Sequence, residues 1–386
     1  MVNKRTKPKN IKKFLNPEFK YKKYNTYNIL LFILLLSFSI SIEKVNSNNI
    51  NKLIYDSEII LTIRGTDRQK ILNTAFGQTP SEIFVNGNKT DISGIYVNNL
   101  SLEENNIKII FNETLRDCSK MFFGLSNITK ITFNMFDFSG ISMKNMFSGC
   151  SNLISLDLCY FDSSSVKDMS NMFKGCSNLC SLDLSHFDTS SVTSFSSMFS
   201  DCNNLISLNL SHFDTSSVTS FSSMFSNCYN LISLDLGHFD TSSVTTLSSM
   251  FSNCNNLLSL DLSHFDTSSV KNMNSMFSGC KNLISLDLNY LNTSLVINMD
   301  SMFCGCSNLL SLDLNYLDTS SVIKMGNMFS GCSNLISLDL SNFTTSSAST
   351  MESMFKDCSN LTSLDLSNFI TSSVTFMSNM FSGCSN

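Results

Sequence analysis

The sequence predicts an α/β solenoid: a stack of short parallel strands and short helices behind a small β-rich N-terminal cap. Three observations lead there. A unit of 26 residues recurs about ten times. Each unit joins a Leu run that alternates, as a strand does, to a wider apolar spacing that fits one stripe of a helix. No single unit can bury its own Leu/Phe stripe, so neighbours must stack to build one core.

The chain begins with a basic segment. Residues 1–28 carry nine Lys and Arg against Glu18 alone, whereas the whole 386-residue chain has 26 basic and 31 acidic residues. The remainder is therefore near −13, and so acidic a surface repels nucleic acid, whose binding rests on neutralised phosphates. Next comes "ILLFILLLSFSISI", residues 29–42. A membrane helix needs about 20 apolar residues, and this run is shorter, as a signal-peptide core is. Export is expected, with two outcomes open. The segment is cleaved near Ser39-Ile40-Ser41, or it stays as an anchor with the Lys-rich side in the cytoplasm.

Residues 43–117 do not repeat. "EIILTIRG", "EIFVNG" and "NIKIIFN" read as short strands between Gly, Asn and Pro turns, which makes this region the cap. A solenoid needs one, because its first coil would otherwise expose an apolar face. Residues 118–386 hold the repeats. Met-Phe recurs from Met146-Phe147 to Met380-Phe381, with a degenerate copy at Met121-Phe122. In one copy Leu182 and Leu184 share a strand face opposite Ser181, Asp183 and Ser185. Val192, Phe195, Met198, Phe199 and Cys202 then form the helical stripe. Asn fills one column from Asn152 to Asn386, suited to a left-handed helix end and a stacked amide ladder. The "DTSSV" segment from Asp188 to Val192 supplies candidate helix caps.

These residues resemble a known family. "MFSGCSNLISLDLSNFTTSS", residues 328–347, and its sister copies are similar to the BspA-like leucine-rich repeats of exported surface proteins in bacteria and unicellular eukaryotes. The resemblance covers about residues 118–386. It implies a leucine-rich-repeat-like solenoid displayed outside the cell, often discussed as adhesive, with no catalytic residues to carry over.

Candidate ligand-binding groups form columns. Asp157, Asp183, Asp235, Asp261, Asp287, Asp313, Asp339 and Asp365 lie on the face away from the core, interrupted by Asn209. Carboxylates about 5 Å apart repel by roughly 0.8 kcal/mol in water, so a row of them splays, takes up protons or attracts cationic groups. One carboxylate per rung is thin for Ca²⁺, which needs six to eight oxygens. All four histidines, His186, His212, His238 and His264, share a column with Tyr160, Tyr290 and Tyr316. The near identity of "HFDTSSVT" points to duplication of one surface His rather than to a metal site. Ten of the fourteen cysteines occupy one column, from Cys150 to Cys384, with core thiols, rung-to-rung disulfides and a metal stack as the alternatives. Asn88, Asn99, Asn112, Asn127, Asn209, Asn292 and Asn342 are candidate N-glycosylation sites, while the sequon at Asn360 belongs to the Asn column.

No enzymatic signature is present: there is no H-E-x-x-H, no G-x-S-x-G and no phosphate-cradling Gly loop. The sequence therefore points to a non-enzymatic surface protein without a cofactor, binding a protein or glycan ligand through its repeated polar face and meeting the membrane through residues 29–42. The alternative is a passive coat or spacer with no specific ligand. The chain stops at "FSGCSN", ahead of the Leu run that each earlier Asn introduces. Either more chain follows or a partner covers that end.

Overall fold

Alternation in the cap sequence becomes a sheet whose far edge starts the repeat stack. The structure, a computed structural model, describes residues 56–385 apart from 93, 102, 135, 137 and 139. The expected basic tail, the signal or anchor segment and Asn386 lie outside the described residues.

Strands β1 (Ser57–Arg64), β3 (Glu82–Val85) and β6 (Glu104–Phe111) are those read from the sequence. With β4 (Asn88–Thr90), β7 (Ile128–Phe133) and β8 (Ser155–Asp157) they form one six-stranded sheet in the order β4-β3-β6-β1-β7-β8. A separate pair joins β2 (Asp67–Lys70) to β5 (Tyr96–Leu100). Ile59, Leu61 and Ile63 on β1 are buried with Ile107, Ile109 and Phe111 on β6, as period-two alternation requires. β1 pairs antiparallel with β6 and β7, and β7 pairs parallel with β8. At β7 the sheet thus changes from hairpin pairing to the parallel pairing that stacked coils need.

Inside the coils the structure departs from expectation in three ways. First, the described residues contain no helix. In the coil around Met198 the backbone N–H groups alternate in destination. Met198, Ser200 and Cys202 donate three residues back, to Phe195, Ser197 and Phe199, at 3.0–3.2 Å. Ser197, Phe199 and Asp201 donate instead to Ser222, Met224 and Ser226 of the next coil, at 2.8–2.9 Å. This arrangement is a series of tight turns zipped to the neighbouring coil. It requires positive φ at two columns four residues apart, seen at Ser197 (55°) and Asp201 (62°), and at Asn171 (57°) and Gly175 (73°). Left-handed residues inside the segment break the i→i−4 ladder, so no helix forms and no helix is capped.

Second, most Leu runs are extended without a full ladder. Beyond the β7–β8 pair, β9 (Ser337–Leu338) and β10 (Ser363–Leu364) pair in parallel, whereas between them single bonds such as Ile232 N–H to Ile206 O (3.1 Å) link the runs. Third, the Asn column is not the left-handed position. Its amides nevertheless form the expected ladder: Asn178 Nδ2 donates to Asn152 Oδ1 at 3.2 Å, and the pattern repeats to Asn360 on Asn334 at 3.3 Å.

The core is columnar. Eleven Phe rings from Phe122 to Phe381 stack face to face at 5.5–5.8 Å. Met, Val and Leu columns pack around them, fully buried through most of the stack. A buried hydroxyl ties each coil to the next, as when Thr241 Oγ1 donates to Asp266 O at 2.9 Å. Thr241→Val keeps the shape but orphans that carbonyl, so denaturant unfolding should show a loss of about 1–3 kcal/mol. A loss below about 0.5 kcal/mol would mean that the hydroxyl contributes nothing specific.

Candidate functional site

The outward edge of each Leu run is built by short-range chemistry. Asp183 Oδ1 accepts the N–H of Ser185 at 2.9 Å, and every Asp of that column holds the residue two positions on in the same way, at 2.8–3.1 Å. These are Asx turns, which end the extended run and turn the chain towards the next buried residue. Asn209 makes the same turn on Ser211 at 3.1 Å, so the turn needs the carbonyl-like oxygen and not the charge. The second acidic column works likewise. Asp188 Oδ1 accepts both the N–H and the hydroxyl of Ser190, at 3.1 and 2.6 Å, which is the role it has in place of helix capping.

Hydrogen bonds from the following Ser hold Asp183, Asp261, Asp339 and Asp365 below the usual carboxylate range. Asp183, Asp235, Asp261, Asp287, Asp313, Asp339 and Asp365 are exposed, and Asp157 is half-buried. None of them pairs with a Lys or Arg among the described residues, where the ion pairs are Lys89–Glu82, Lys108–Glu58 and Lys144–Asp168. His186, His212, His238 and His264 are exposed beside this column. No group of three or more His, Cys, Asp or Glu among the described residues is arranged to hold a metal ion.

The Cys column lies elsewhere. Nine of its thiols are buried, Cys384 is half-buried, and all are free. Each donates to a Phe carbonyl of the preceding coil, as Cys202 does to Phe173 O at 3.2 Å. Of the candidate glycosylation sites, Asn88, Asn99, Asn112, Asn209, Asn292 and Asn342 are exposed. Asn127 is half-buried, and its amide donates to Lys70 O at 2.9 Å.

Three overlapping stretches, residues 116–233, 203–311 and 306–386, match the family described as "Mycoplasma protein of unknown function, DUF285". The chain belongs to the DUF285 family. Together these stretches take in the whole repeat region of this DUF285 protein. No curated protein matches it. Among solved structures it is similar to a leucine-rich repeat protein from Eubacterium ventriosum, at 17% identity over 69% of this chain and 79% of that one, with a TM-score of 0.37. A T. pallidum leucine-rich repeat protein, TpLRR, is 19% identical over 58% of this chain and 72% of its own, with a TM-score of 0.22. The Leptospira interrogans LRR protein LIC12759 is 14% identical over 69% and 78%, with a TM-score of 0.23. The solenoid reading of the DUF285 repeats rests on their own coil-to-coil hydrogen bonds.

Sequence reasoning missed one column on this face. Ile206, Ile232, Leu258, Ile284, Leu310 and Ile336 each follow a buried Leu and are between 45 and 52% exposed. The signal was present: the residue after an inward Leu points outward in an extended run.

Proposed function

We propose that this protein is an exported, BspA-like repeat protein displayed at the cell surface, held or released there through residues 29–42, and acting as a non-enzymatic binding module for a protein or glycan. The observation that carries the reading is the column of exposed aspartates without a Lys or Arg partner, repeated at each rung but one from Asp183 to Asp365. Repetition suits multivalent recognition, in which weak contacts add through effective concentration. The acidic balance supports a partner other than nucleic acid.

Changing Asp183, Asp235 and Asp261 together to Asn tests it. Because Asn209 makes the same turn, the variant keeps its fold and loses only charge. Cells displaying the variant should adhere to matrix or to other cells about tenfold less than cells displaying the unaltered chain, because several weak contacts are lost together. Unchanged adhesion with an intact fold leaves the passive coat as the better reading.

A further inference from the structure

The exposed Ile/Leu column lies on the same face as the aspartates. On one side it is bordered by the amide ladder; Cys180, Asn204, Ile206, Asn230, Ile232 and Asn256 line a shallow groove between the two. On its other side lie a Ser column and then the Asp column, three residues along the chain from the Ile. A continuous apolar strip of this kind is what soluble chains seldom leave bare without a partner.

Its dimensions select the partner. Three residues of extended chain span about 10 Å, which sets the lateral distance between the apolar and acidic columns. An α-helix with its side chains is about 10–12 Å across. Rungs about 4.8 Å apart carry the strip from Ile206 to Ile336 over roughly 24 Å, the length of about 16 helical residues. We propose that this face docks a cationic amphipathic polypeptide helix laid along the stack, its apolar stripe on Ile206–Ile336 and its Lys or Arg on Asp235, Asp261 and Asp287. The inference rests on the binding-module reading and names the partner class. An anionic membrane surface fails on charge, since the Asp column repels its headgroups. A second copy of the chain would bring another uncompensated acidic column.

The full chain is titrated with three labelled peptides of about 18 residues, long enough to cover the strip, read by fluorescence anisotropy at moderate salt. One is a Leu/Lys amphipathic helix, one has the same composition scrambled around the helix, and one carries Glu in place of Lys. The amphipathic Lys peptide should bind, the scrambled peptide about tenfold more weakly, and the Glu peptide not at all. Joint replacement Ile232→Ser, Leu258→Ser and Ile284→Ser should lower affinity about 100-fold with the thermal midpoint unchanged. Leu258→Lys alone should also weaken binding, and it keeps the test valid if the triple variant is unstable. Equal binding of the scrambled peptide, no binding of the amphipathic one, or full affinity in both variants overturns the proposal. Adhesion lost in the Asp→Asn variant while all three peptides fail to bind would sink this inference and leave the binding-module reading standing.

Discussion

Phe251→Ala should cost the repeat stack about 3–5 kcal/mol, the loss expected for deleting a fully buried ring. Phe251 sits face to face with Phe225 at 5.8 Å and Phe277 at 5.7 Å, nearly parallel to both. Its removal interrupts the column and leaves a void that tight-turn backbone, pinned by hydrogen bonds on both sides, collapses into poorly. Phe123→Ala is the internal control. That ring lies outside the column and is 41% exposed, so its loss should cost much less. Urea unfolding followed by far-UV circular dichroism reads both, and a repeat stack with a weakened central interface should also unfold less cooperatively. Equal losses for the two variants would show that the column carries no stability of its own.

The second large effect is chemical. In the folded protein a maleimide near neutral pH should label Cys180 and Cys159, which are exposed, and label Cys304 slowly. The nine buried thiols of the column should stay unlabelled. Burial pushes the Cys202 and Cys280 thiols up to about 12 from an ordinary value near 9, which cuts the reactive thiolate about a thousandfold. Exposed Cys159 is shifted for a different reason: a hydrogen bond with Asp157 raises its thiol, while the sulfur stays open to the reagent. Unfolding without reductant should then expose all fourteen thiols to label, counted by intact mass. Column thiols that stay masked until a reductant is added would instead reveal rung-to-rung disulfides.

The inward columns and the outward aspartates were legible because hydrophobicity and a fixed period determine them. The amide ladder was legible because Asn recurs at each rung. The turns were not. Apolar residues at i, i+3 and i+7 fit a short helix and also fit successive three-residue turns. The choice depends on left-handed Ser197 and Asp201, whose residue types only weakly advertise that conformation. Asp-x-Ser, by contrast, is a readable Asx signature, and the absence of a helix to cap shows that it was the better one at Asp188. The apolar strip escaped notice because Ile232 and its equivalents look like core residues by composition, and only their position after Leu231 turns them outward.

The alternating donors give the stack a direction. Ser197, Phe199 and Asp201 find their acceptors only on the coil that follows in sequence, so each turn of the chain is completed by its successor. As the chain emerges at about 5–20 residues per second, each coil waits roughly one to five seconds for the segment that finishes it. The nascent protein therefore matures in discrete instalments from the cap outward, with one unfinished rung at its growing tip.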